Sequence, residues 1–250
     1  WFPYNKGGDY RKWYGNHEYV VNFFNGGYEV CEYIDSLADI KASGGKKKVG
    51  STSRVINREH YFKEGITWSF VSSSYFGVRK TFKGAIFDIG GSSAFPDKED
   101  IDFFVGLLCS KLATSFMATL NPTLNFQVGN VGSIPLPVEL DDSLKQPINL
   151  GVDKLVQYSK YDWDSYETSW DFTQNPIIRT GQLNLEQAFN TWQQQNADAV
   201  AEMKRLEEEN NKLFIDAYGL QDELTPDVPD EQITLTRADR EKDSQRLVSY

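Results

Sequence analysis

Cysteine and histidine are scarce in this chain of 250 residues, which contains two of each. Cys31 and Cys109 lie far apart and form no Cys-x-x-Cys motif, so we expect buried, unpaired thiols in a reducing cytoplasm. His17 and His60 do not have the spacing of zinc ligands. The composition therefore argues against a disulfide framework and against a metal centre.

Long hydrophobic runs are also absent. The longest apolar segment, residues 101–120, is interrupted by an aspartate, two serines and a lysine. A membrane-spanning helix needs about 20 predominantly apolar residues, so we expect a buried helix here and no membrane partner. The chain is 40% hydrophobic and 14% aromatic, which is enough for one large domain or two smaller ones.

The net charge of −10 is unevenly distributed along the chain. Residues 1–83 contain 13 lysines and arginines against 8 acidic residues, whereas residues 121–250 contain 11 against 23. A basic amino-terminal third is suited to a polyanion, and an acidic remainder to water or to a basic partner. Ordinary scatter of charge is the alternative that the counts leave open.

The amino-terminal half shows strand and turn patterns followed by a helix. Residues 17–40 predict a hairpin with its turn at Asn25-Gly26-Gly27, and residues 41–54 predict a basic loop. Residues 66–89 predict strands. Residues 97–120 predict one helix that Asn121-Pro122 ends, and residues 126–137 predict a strand with a proline-stiffened exit.

The remaining sequence is acidic, rich in Gln and Asn, and helical in pattern. Residues 143–158 predict one helix, and residues 184–218 predict a long amphipathic helix capped by Gly219. A loop at 221–236 and a charged helix from 237 follow. Because the chain starts at full aromatic density and stops inside a helix pattern, we expect both ends to continue into a longer protein.

These elements predict an α+β fold. Residues 1–137 are expected to form a domain with a mixed or antiparallel sheet and a packed helix. Residues 138–250 are expected to form a mainly helical region with one long amphipathic helix. Trp13, Trp68 and Trp170 are expected to lie in the core rather than to stack on bases.

The opening segment, residues 1–16, interleaves aromatic rings with asparagine, lysine and arginine. Such a combination suits a nucleic-acid interface, because rings stack, amides contact base edges and cations contact phosphates. Its glycines, Gly7, Gly8 and Gly15, also indicate tight backbone turns. A structural role for this segment is therefore the alternative.

Six segments, in order along nearly the whole chain, carry a resemblance to a known family. They are Tyr4-Asn5-Lys6-Gly7-Gly8 with Arg11-Lys12-Trp13-Tyr14-Gly15-Asn16, Lys63-Glu64-Gly65-Ile66-Thr67-Trp68-Ser69, Leu107-Leu108-Cys109-Ser110-Lys111, Asn121-Pro122-Thr123-Leu124-Asn125-Phe126-Gln127-Val128-Gly129, Trp163-Asp164-Ser165 with Glu167-Thr168-Ser169-Trp170-Asp171, and Tyr218-Gly219-Leu220-Gln221-Asp222-Glu223-Leu224. The chain resembles the carboxyl-terminal part of the BREX phage-defence adenine-specific DNA methyltransferases, large bacterial proteins of type IIG-like layout. Locally, residues 128–137 are similar to the close of target-recognition domains in type I restriction specificity subunits.

The resemblance implies a catalytic methyltransferase domain upstream of this chain, then a recognition domain at about 1–137, then helices. S-adenosylmethionine is expected in that catalytic domain, and no cofactor is expected in this chain. The family's catalytic Asn-Pro-Pro-aromatic motif is missing, because Asn121-Pro122 is followed by Thr123 and Leu124 and predicts a helix stop.

Two further segments only superficially match catalytic motifs. Asp88-Ile89-Gly90-Gly91 has the wrong spacing for a cofactor-binding glycine loop and predicts a strand-ending turn. Glu202-Met203-Lys204 resembles a nuclease Glu-x-Lys but predicts a solvated helix face.

The candidate DNA-binding residues fall into three groups, and a plain solubilising charge is the alternative for the lysines of the first two. The loop group is expected to contact phosphates on ordering, and the strand group to form a more rigid platform. The opening group is expected either to contact DNA or to dock the module against the catalytic domain. The groups are, in that order, Lys46, Lys47, Lys48, Arg54 and Arg58; Arg79, Lys80 and Lys83; and Asn5, Lys6, Arg11, Lys12 and Asn16.

The expected function is DNA sequence recognition for an adenine-N6 methyltransferase, which must flip its target base out of the duplex. Double-stranded DNA and the upstream catalytic domain are the expected partners. The acidic DNA-mimic inhibitors that some phages make are a further expected ligand of the basic face. The alternative is a scaffold that docks other defence-system subunits through the acidic helical half.

Overall fold

Two small sheets form the amino-terminal half of the computed structural model, which describes residues 1–42, 55–72, 75–121, 123–137 and 142–249. The strands are β1 (Phe2–Asn5), β2 (Tyr19–Val21), β3 (Gly65–Ser69), β4 (Val78–Thr81), β5 (Ile86–Phe87) and β6 (Gly91–Ala94). One sheet has the order β2-β1-β5 and is mixed, because β2 is antiparallel and β5 parallel to β1. The other has the order β4-β3-β6 and is antiparallel.

The helices, as far as the structure describes the chain, make the fold predominantly helical. They are α1 (Tyr28–Ala42), α2 (Ile101–Leu108), α3 (Lys111–Leu120), α4 (Val128–Val131), α5 (Asp142–Trp163), α6 (Pro176–Arg179), α7 (Leu185–Tyr218) and α8 (Arg240–Ser249). Together with the sheets they confirm the predicted α+β class. The long helix α7 is also confirmed: the Asn184 side chain accepts a 3.1 Å hydrogen bond from the Gln187 amide, and Gly219 ends the helix at a φ of 67°.

The predicted hairpin at residues 17–40 is wrong. Only Tyr19–Val21 is a strand, and it pairs with β1, whereas the second predicted strand is the start of α1. Gly26 and Gly27 adopt φ values of 68° and 77°, which turn the chain away from its strand direction. Half-buried Val30 and Ile34 then fall four residues apart, at helical spacing.

The single helix predicted for residues 97–120 is broken. Its two parts, Lys98–Leu108 and Lys111–Leu120, are bent by 72° at Cys109 and Ser110. The Ser110 side chain accepts a 3.2 Å hydrogen bond from the Ala113 amide and so caps the second part. The predicted end of the helix is confirmed, since α3 ends at Leu120.

No single helix in the described ranges is both long and apolar enough to cross a membrane. The bent pair Lys98–Leu108 and Lys111–Leu120 meets the length and composition criteria only as a pair. Many of its apolar side chains, including those of Phe103, Val105 and Leu112, are buried in the protein core.

The strand predicted over residues 126–137 is also wrong. Asn125 forms one isolated bridge with Val71, and the chain then enters the short helix α4. The Val131 amide donates to the Gln127 carbonyl at 3.1 Å, and Val131 and Ile134 bury their side chains. Val131 and Ile134, three positions apart, are thus buried from a helical turn and not from a strand.

One hydrophobic core connects the sheets with the long helices. Its members include Trp13, Trp68 and Val105 from before residue 137, and Leu155 and Phe214 from after it. At Gly106 of α2, an added Cβ would lie 2.9 Å from both Asn210 Oδ1 and Ile148 Cγ2, so the helices approach closely there. The domain boundary at residue 137 stays a prediction.

Candidate nucleic-acid interface

The opening segment joins the sheets to the helices. Lys12 forms a buried ion pair with Glu207 of α7, whose carboxylate also accepts a 2.8 Å hydrogen bond from Trp13 Nε1. Arg11 forms an ion pair with Asp162 of α5 and lies 5.1 Å from the Trp163 ring centre. Lys12 and Arg11 therefore hold the segment to α5 and α7.

Asn5 and Arg79 are likewise interior. The Asn5 amide donates to the Thr81 hydroxyl at 2.9 Å, and Arg79 is 1% exposed. Burial lowers the pKa of Arg79 to about 10, and its guanidinium donates to the Lys6 carbonyl at 3.5 Å. Asn5, Lys12 and Arg79 have a packing role in this conformation, and DNA contact by them remains an untested prediction.

Three further candidates are partly exposed but already paired. Lys6 forms an ion pair with Asp88, and Lys80 Nζ lies 2.5 Å from Asp102 Oδ1. The Asn16 side chain donates to the Asp9 carbonyl at 3.0 Å. These contacts stabilise the fold around the segment, and they lower the charge that Lys6 and Lys80 present to a ligand.

The Asp88–Gly91 segment is a strand-ending turn, as predicted. Asp88 Oδ1 accepts hydrogen bonds from the Gly90 amide at 2.8 Å and the Gly91 amide at 3.2 Å, and Oδ2 accepts from Tyr4 at 2.8 Å. Burial raises the pKa of Asp88, but the hydrogen bonds from Lys6, Tyr4 and the Gly91 amide outweigh it and lower the pKa overall. The Asp88 carboxylate is thus occupied by hydrogen bonds within the protein, which fits a structural turn.

Two further predictions are confirmed, the helix stop at Asn121 and the solvated helix face that carries Glu202 and Lys204. The Asn121 side chain accepts a 2.6 Å hydrogen bond from the Thr123 hydroxyl and donates to the Asn125 carbonyl at 2.6 Å, so it serves the turn after α3. Glu202 pairs with Arg205 on the outside of α7, and Lys204 Nζ pairs with Asp230 at 2.8 Å.

Within the described ranges, no group of three His, Cys, Asp or Glu side chains is placed to hold a metal ion.

Three lysines line one cleft of the described surface. Lys63, Lys83 and Lys98, here named the lysine rim, line an open cleft of about 460 Å³ together with Glu64 and Asp97. Lys98 Nζ is 3.8 Å from Glu64, whereas Lys63 and Lys83 have no ion-pair partner among the residues that the structure describes. Lys83 was predicted from the sequence; Lys63 and Lys98 were missed.

The lysine rim sits on a fixed backbone. The Phe62 amide donates to the Ala85 carbonyl at 2.9 Å, and the Gly84 amide donates to the Phe62 carbonyl at 3.0 Å. These bonds tie the turn that carries Lys83 to the segment that carries Lys63. Two lysines from different parts of the chain are therefore held on one surface.

The remaining loop candidates are divided between described and undescribed parts of the chain. Arg58 is exposed, lies 5.8 Å from the Phe23 ring centre and contacts Cys31 Sγ at 3.2 Å. Lys46, Lys47, Lys48 and Arg54 lie outside the described residues.

A second cleft, here named the aromatic cleft, adjoins the lysine rim and has a volume of about 480 Å³. Its aromatic lining consists of Tyr14, His17, Phe82, Trp163 and Trp170, and its charged lining consists of Glu64, Lys80, Lys160 and Asp171. Trp170 is 50% exposed, so the prediction that it lies in the core is wrong. That prediction is confirmed for Trp13 and Trp68, which are 0% and 1% exposed.

His17 is the unusual member of the aromatic cleft. Its side chain is buried, and neither ring nitrogen has a hydrogen-bond partner within the described ranges. Burial, followed by the nearby charges of Arg79, Lys160 and Arg11, lowers the pKa of His17 to about 3. The imidazole is therefore neutral at physiological pH.

Lys160 is held in place at the edge of the same cleft. Its Nζ lies 2.7 Å from Asp164 and 2.6 Å from Asp171, and 5.1 Å from the Tyr14 ring centre. Burial alone would lower the pKa of Lys160, but its two carboxylate partners raise it overall. Lys160 thus stays protonated, with its charge neutralised locally.

Comparison with known proteins shows which family the chain is related to. No protein-family model matches the chain. The chain is 38% identical over 257 residues to the adenine-specific methyltransferase PglX of Lacticaseibacillus casei (strain Zhang). The aligned region covers the whole chain and 20% of that protein. It is 31% identical over 230 residues to the adenine-specific methyltransferase BrxX of Escherichia coli O9:H4 (strain HS). This aligned region covers 90% of the chain and 17% of that protein.

The chain is therefore homologous to part of the adenine-specific methyltransferases. The matching part is the carboxyl-terminal 17–20% of BREX methyltransferases, which confirms the resemblance drawn from the sequence. The chain spans no more than about a fifth of the length of the curated relatives it matches.

Proposed function

We propose that this chain is the DNA-recognition part of an adenine-N6 DNA methyltransferase of a phage-defence system. It holds duplex DNA while a catalytic domain elsewhere in the protein flips and methylates the target adenine with S-adenosylmethionine. The homology supports the methyltransferase setting. The observation that carries the DNA-contact role is the lysine rim.

The lysine rim has the properties that phosphate contact requires. Lys63 and Lys83 are exposed, and Lys98 has a side chain that is 85% exposed. Cations that are not already neutralised by carboxylates gain most from a phosphate, because each contact releases counterions condensed on the DNA. Since the backbone beneath Lys63 and Lys83 is hydrogen-bonded, little conformational entropy is lost on binding.

Fluorescence anisotropy of a labelled duplex, titrated with the chain across about 50 to 300 mM salt, tests this proposal. The test variant is Lys63→Gln/Lys83→Gln/Lys98→Gln. A matched control, Lys154→Gln/Lys212→Gln/Lys242→Gln, removes the same charge from the helical half. We expect the test variant to bind more weakly and to flatten the logarithmic salt dependence by about 2 to 3 units, since each phosphate contact contributes about 0.9.

The control variant is expected to bind DNA as the unmodified chain does. Equal losses in both variants would show that the effect is one of net charge alone and would contradict the assignment. A charge-reversal variant at Lys46, Lys47 and Lys48 tests the predicted basic loop separately.

One observation favours a second candidate function, a scaffold for other proteins of the defence system. Apolar side chains are exposed around the start of α7: Leu183 is fully exposed, Leu185 59% and Ile178 39%. Contiguous apolar surface often marks a protein contact. If the Leu183→Asp/Leu185→Asp variant keeps DNA binding but loses a defence-system subunit that the unmodified chain retains in a pull-down, this region is a docking surface.

A further inference from the structure

The aromatic cleft has the size and walls of a small-molecule site. Its volume of about 480 Å³ lies within the roughly 300–1,000 Å³ that is usual for such sites. Trp170 is half exposed, and Phe82 is partly exposed, so both rings offer surface to an incoming group. Aromatic walls of this kind bind flat aromatic ligands by stacking.

The charges in the cleft select an uncharged occupant. Lys80 and Lys160 are neutralised by Asp102, Asp164 and Asp171, and Glu64 adds a further carboxylate to the lining. A phosphate inside the cleft would be near carboxylates and would gain little. A basic peptide would be repelled by the lysine rim next to it.

His17 shows that the cleft also contains unused hydrogen-bonding capacity. Buried polar groups are almost always hydrogen-bonded, because one left unpaired loses its hydration without compensation. The neutral imidazole has one donor and one acceptor, and neither is paired within the described ranges. The edge of a nucleobase offers acceptors and donors of the kind that such a ring can satisfy.

The rings of Tyr14 and Phe82 stand edge-on to the imidazole, with ring centres 4.7 Å and 4.9 Å from it. Both imidazole nitrogens are buried, so contact with a ligand requires a neighbouring ring to move. Phe82 is only partly buried and belongs to the turn beside Lys83. Tyr14 is partly buried as well, so both rings border the cleft.

The aromatic cleft and the lysine rim are continuous. Glu64 lines both clefts, and the adjacent residues Phe82 and Lys83 line one each. A flat uncharged group in the first cleft and an anion on the second are the two parts of a nucleotide. This juxtaposition favours DNA as the occupant over a side chain of another protein.

We infer that the aromatic cleft receives one unpaired nucleobase of the bound DNA, stacked on Trp170, while the adjoining phosphates lie on the lysine rim. The inference rests on the proposed DNA-recognition function and makes it specific. A base that is paired in a duplex has no exposed face, so the occupant is a base that has lost its pairing near the site of base flipping. The cleft would stabilise the opened DNA and thereby lower the energetic cost of flipping.

The test compares an intact duplex with the same duplex carrying one bulged 2-aminopurine. We expect the chain to bind the bulged duplex about tenfold more tightly, since stacking one base is worth about 1–3 kcal/mol. The 2-aminopurine fluorescence is expected to be quenched as the base stacks on Trp170. Trp170→Ala is expected to abolish both the preference and the quenching.

Trp1→Ala is the matched control, because Trp1 is 79% exposed and does not line the aromatic cleft. It is expected to keep the preference and the quenching. His17→Phe retains a ring of similar shape and removes both nitrogens. It is expected to keep the quenching but to lose discrimination among bulged adenine, cytosine, guanine and thymine.

The outcomes separate the two proposals. If the intact duplex binds through the lysine rim but the bulge is neither preferred nor quenched, the cleft inference is wrong and the proposed function stands. Preference that persists in Trp170→Ala also overturns the inference. If neither duplex binds, both proposals fail. Circular dichroism and thermal unfolding of each variant establish that the fold is kept.

Discussion

At the residue scale, Glu207 determines how the amino-terminal segment attaches to α7. It is 2% exposed and contacts both Lys12 and the Trp13 indole. A buried ion pair adds little net stability over an apolar pair of the same shape, but removing one partner leaves a charge without compensation. The local sequence around Lys12 contains no sign of this partner, which is 195 residues away.

Glu207→Gln is expected to lower the free energy of unfolding by about 3–5 kcal/mol, because Lys12 keeps its charge in a buried site. The glutamine oxygen can still accept from the Trp13 indole. The double variant Lys12→Met/Glu207→Gln is expected to regain part of the loss, since no charge is then buried. Urea denaturation measures both, and equal stabilities of the single and double variants would argue against a charge effect.

His17 makes a second prediction at this scale. Its pKa of about 3 in the folded chain lies below the ordinary value of 6.5, so acid protonates the unfolded chain first. The contribution of neutral His17 to the free energy of unfolding is therefore fully present above pH 6.5. It is expected to fall by about 1.4 kcal/mol for each pH unit between 6.5 and 3. His17→Phe should remove this dependence between about pH 6.5 and 5.5, above the range in which most carboxylates titrate. Denaturation midpoints across that range measure it.

At the element scale, the turn before β6 packs against the end of β1 through glycine. A Cβ at Gly91 would overlap the Asn5 carbonyl oxygen, and a Cβ at Gly7 would lie 2.8 Å from the Gly90 carbonyl oxygen. The two backbones can approach only because neither glycine has a side chain. The two sheets are joined at this point, since Gly91 begins β6 and Asn5 ends β1.

Gly91→Ala is expected to destabilise the chain by about 1–3 kcal/mol, the usual cost of forcing an extra methyl into a packed site. Gly151→Ala is the matched control, because Gly151 lies inside α5 and an added Cβ there would meet nothing within 4 Å. That substitution is expected to stabilise by up to about 1 kcal/mol through helix propensity. Thermal unfolding of both variants checks the contrast, and equal midpoints would contradict it.

At the scale of the whole molecule, the shared core couples the sheets to the helical half. Leu155 of α5 and Leu206 and Phe214 of α7 are 0–3% exposed within the same cluster as Trp13 and Trp68. Apolar surface on α2 would become exposed if α5 were removed, since Gly106 of α2 closely approaches Ile148 and Val152 of α5. The molecule combines this shared core with a basic rim at one surface and an excess of acidic over basic residues in 121–250.

We therefore expect one cooperative unfolding transition for the chain, with tryptophan fluorescence and circular dichroism giving the same midpoint. A fragment of residues 1–137 is expected to show no cooperative transition of its own. Two separate transitions, or a fragment that unfolds cooperatively, would instead support independent domains divided near residue 137.

The parts of the fold that could be predicted from sequence depend on neighbouring residues. Asn184 and Gly219 mark the ends of α7 because a cap acts within one helical turn, and Asn121 marks the end of α3 for the same reason. The hairpin at 17–40 was predicted wrongly, because two glycines with positive φ turn the chain into a helix that the local alternation does not indicate.

The sequence by itself determined the α+β class, the long helix α7, the absence of a catalytic Asn-Pro-Pro motif and the resemblance to BREX methyltransferases. Only the tertiary structure decided which cations face solvent. Arg79 and Lys83 are four residues apart, yet one is buried and the other is on the lysine rim. Arg79 is buried because the opening segment and α2 pack on β4, and charge and spacing along the chain do not contain that information.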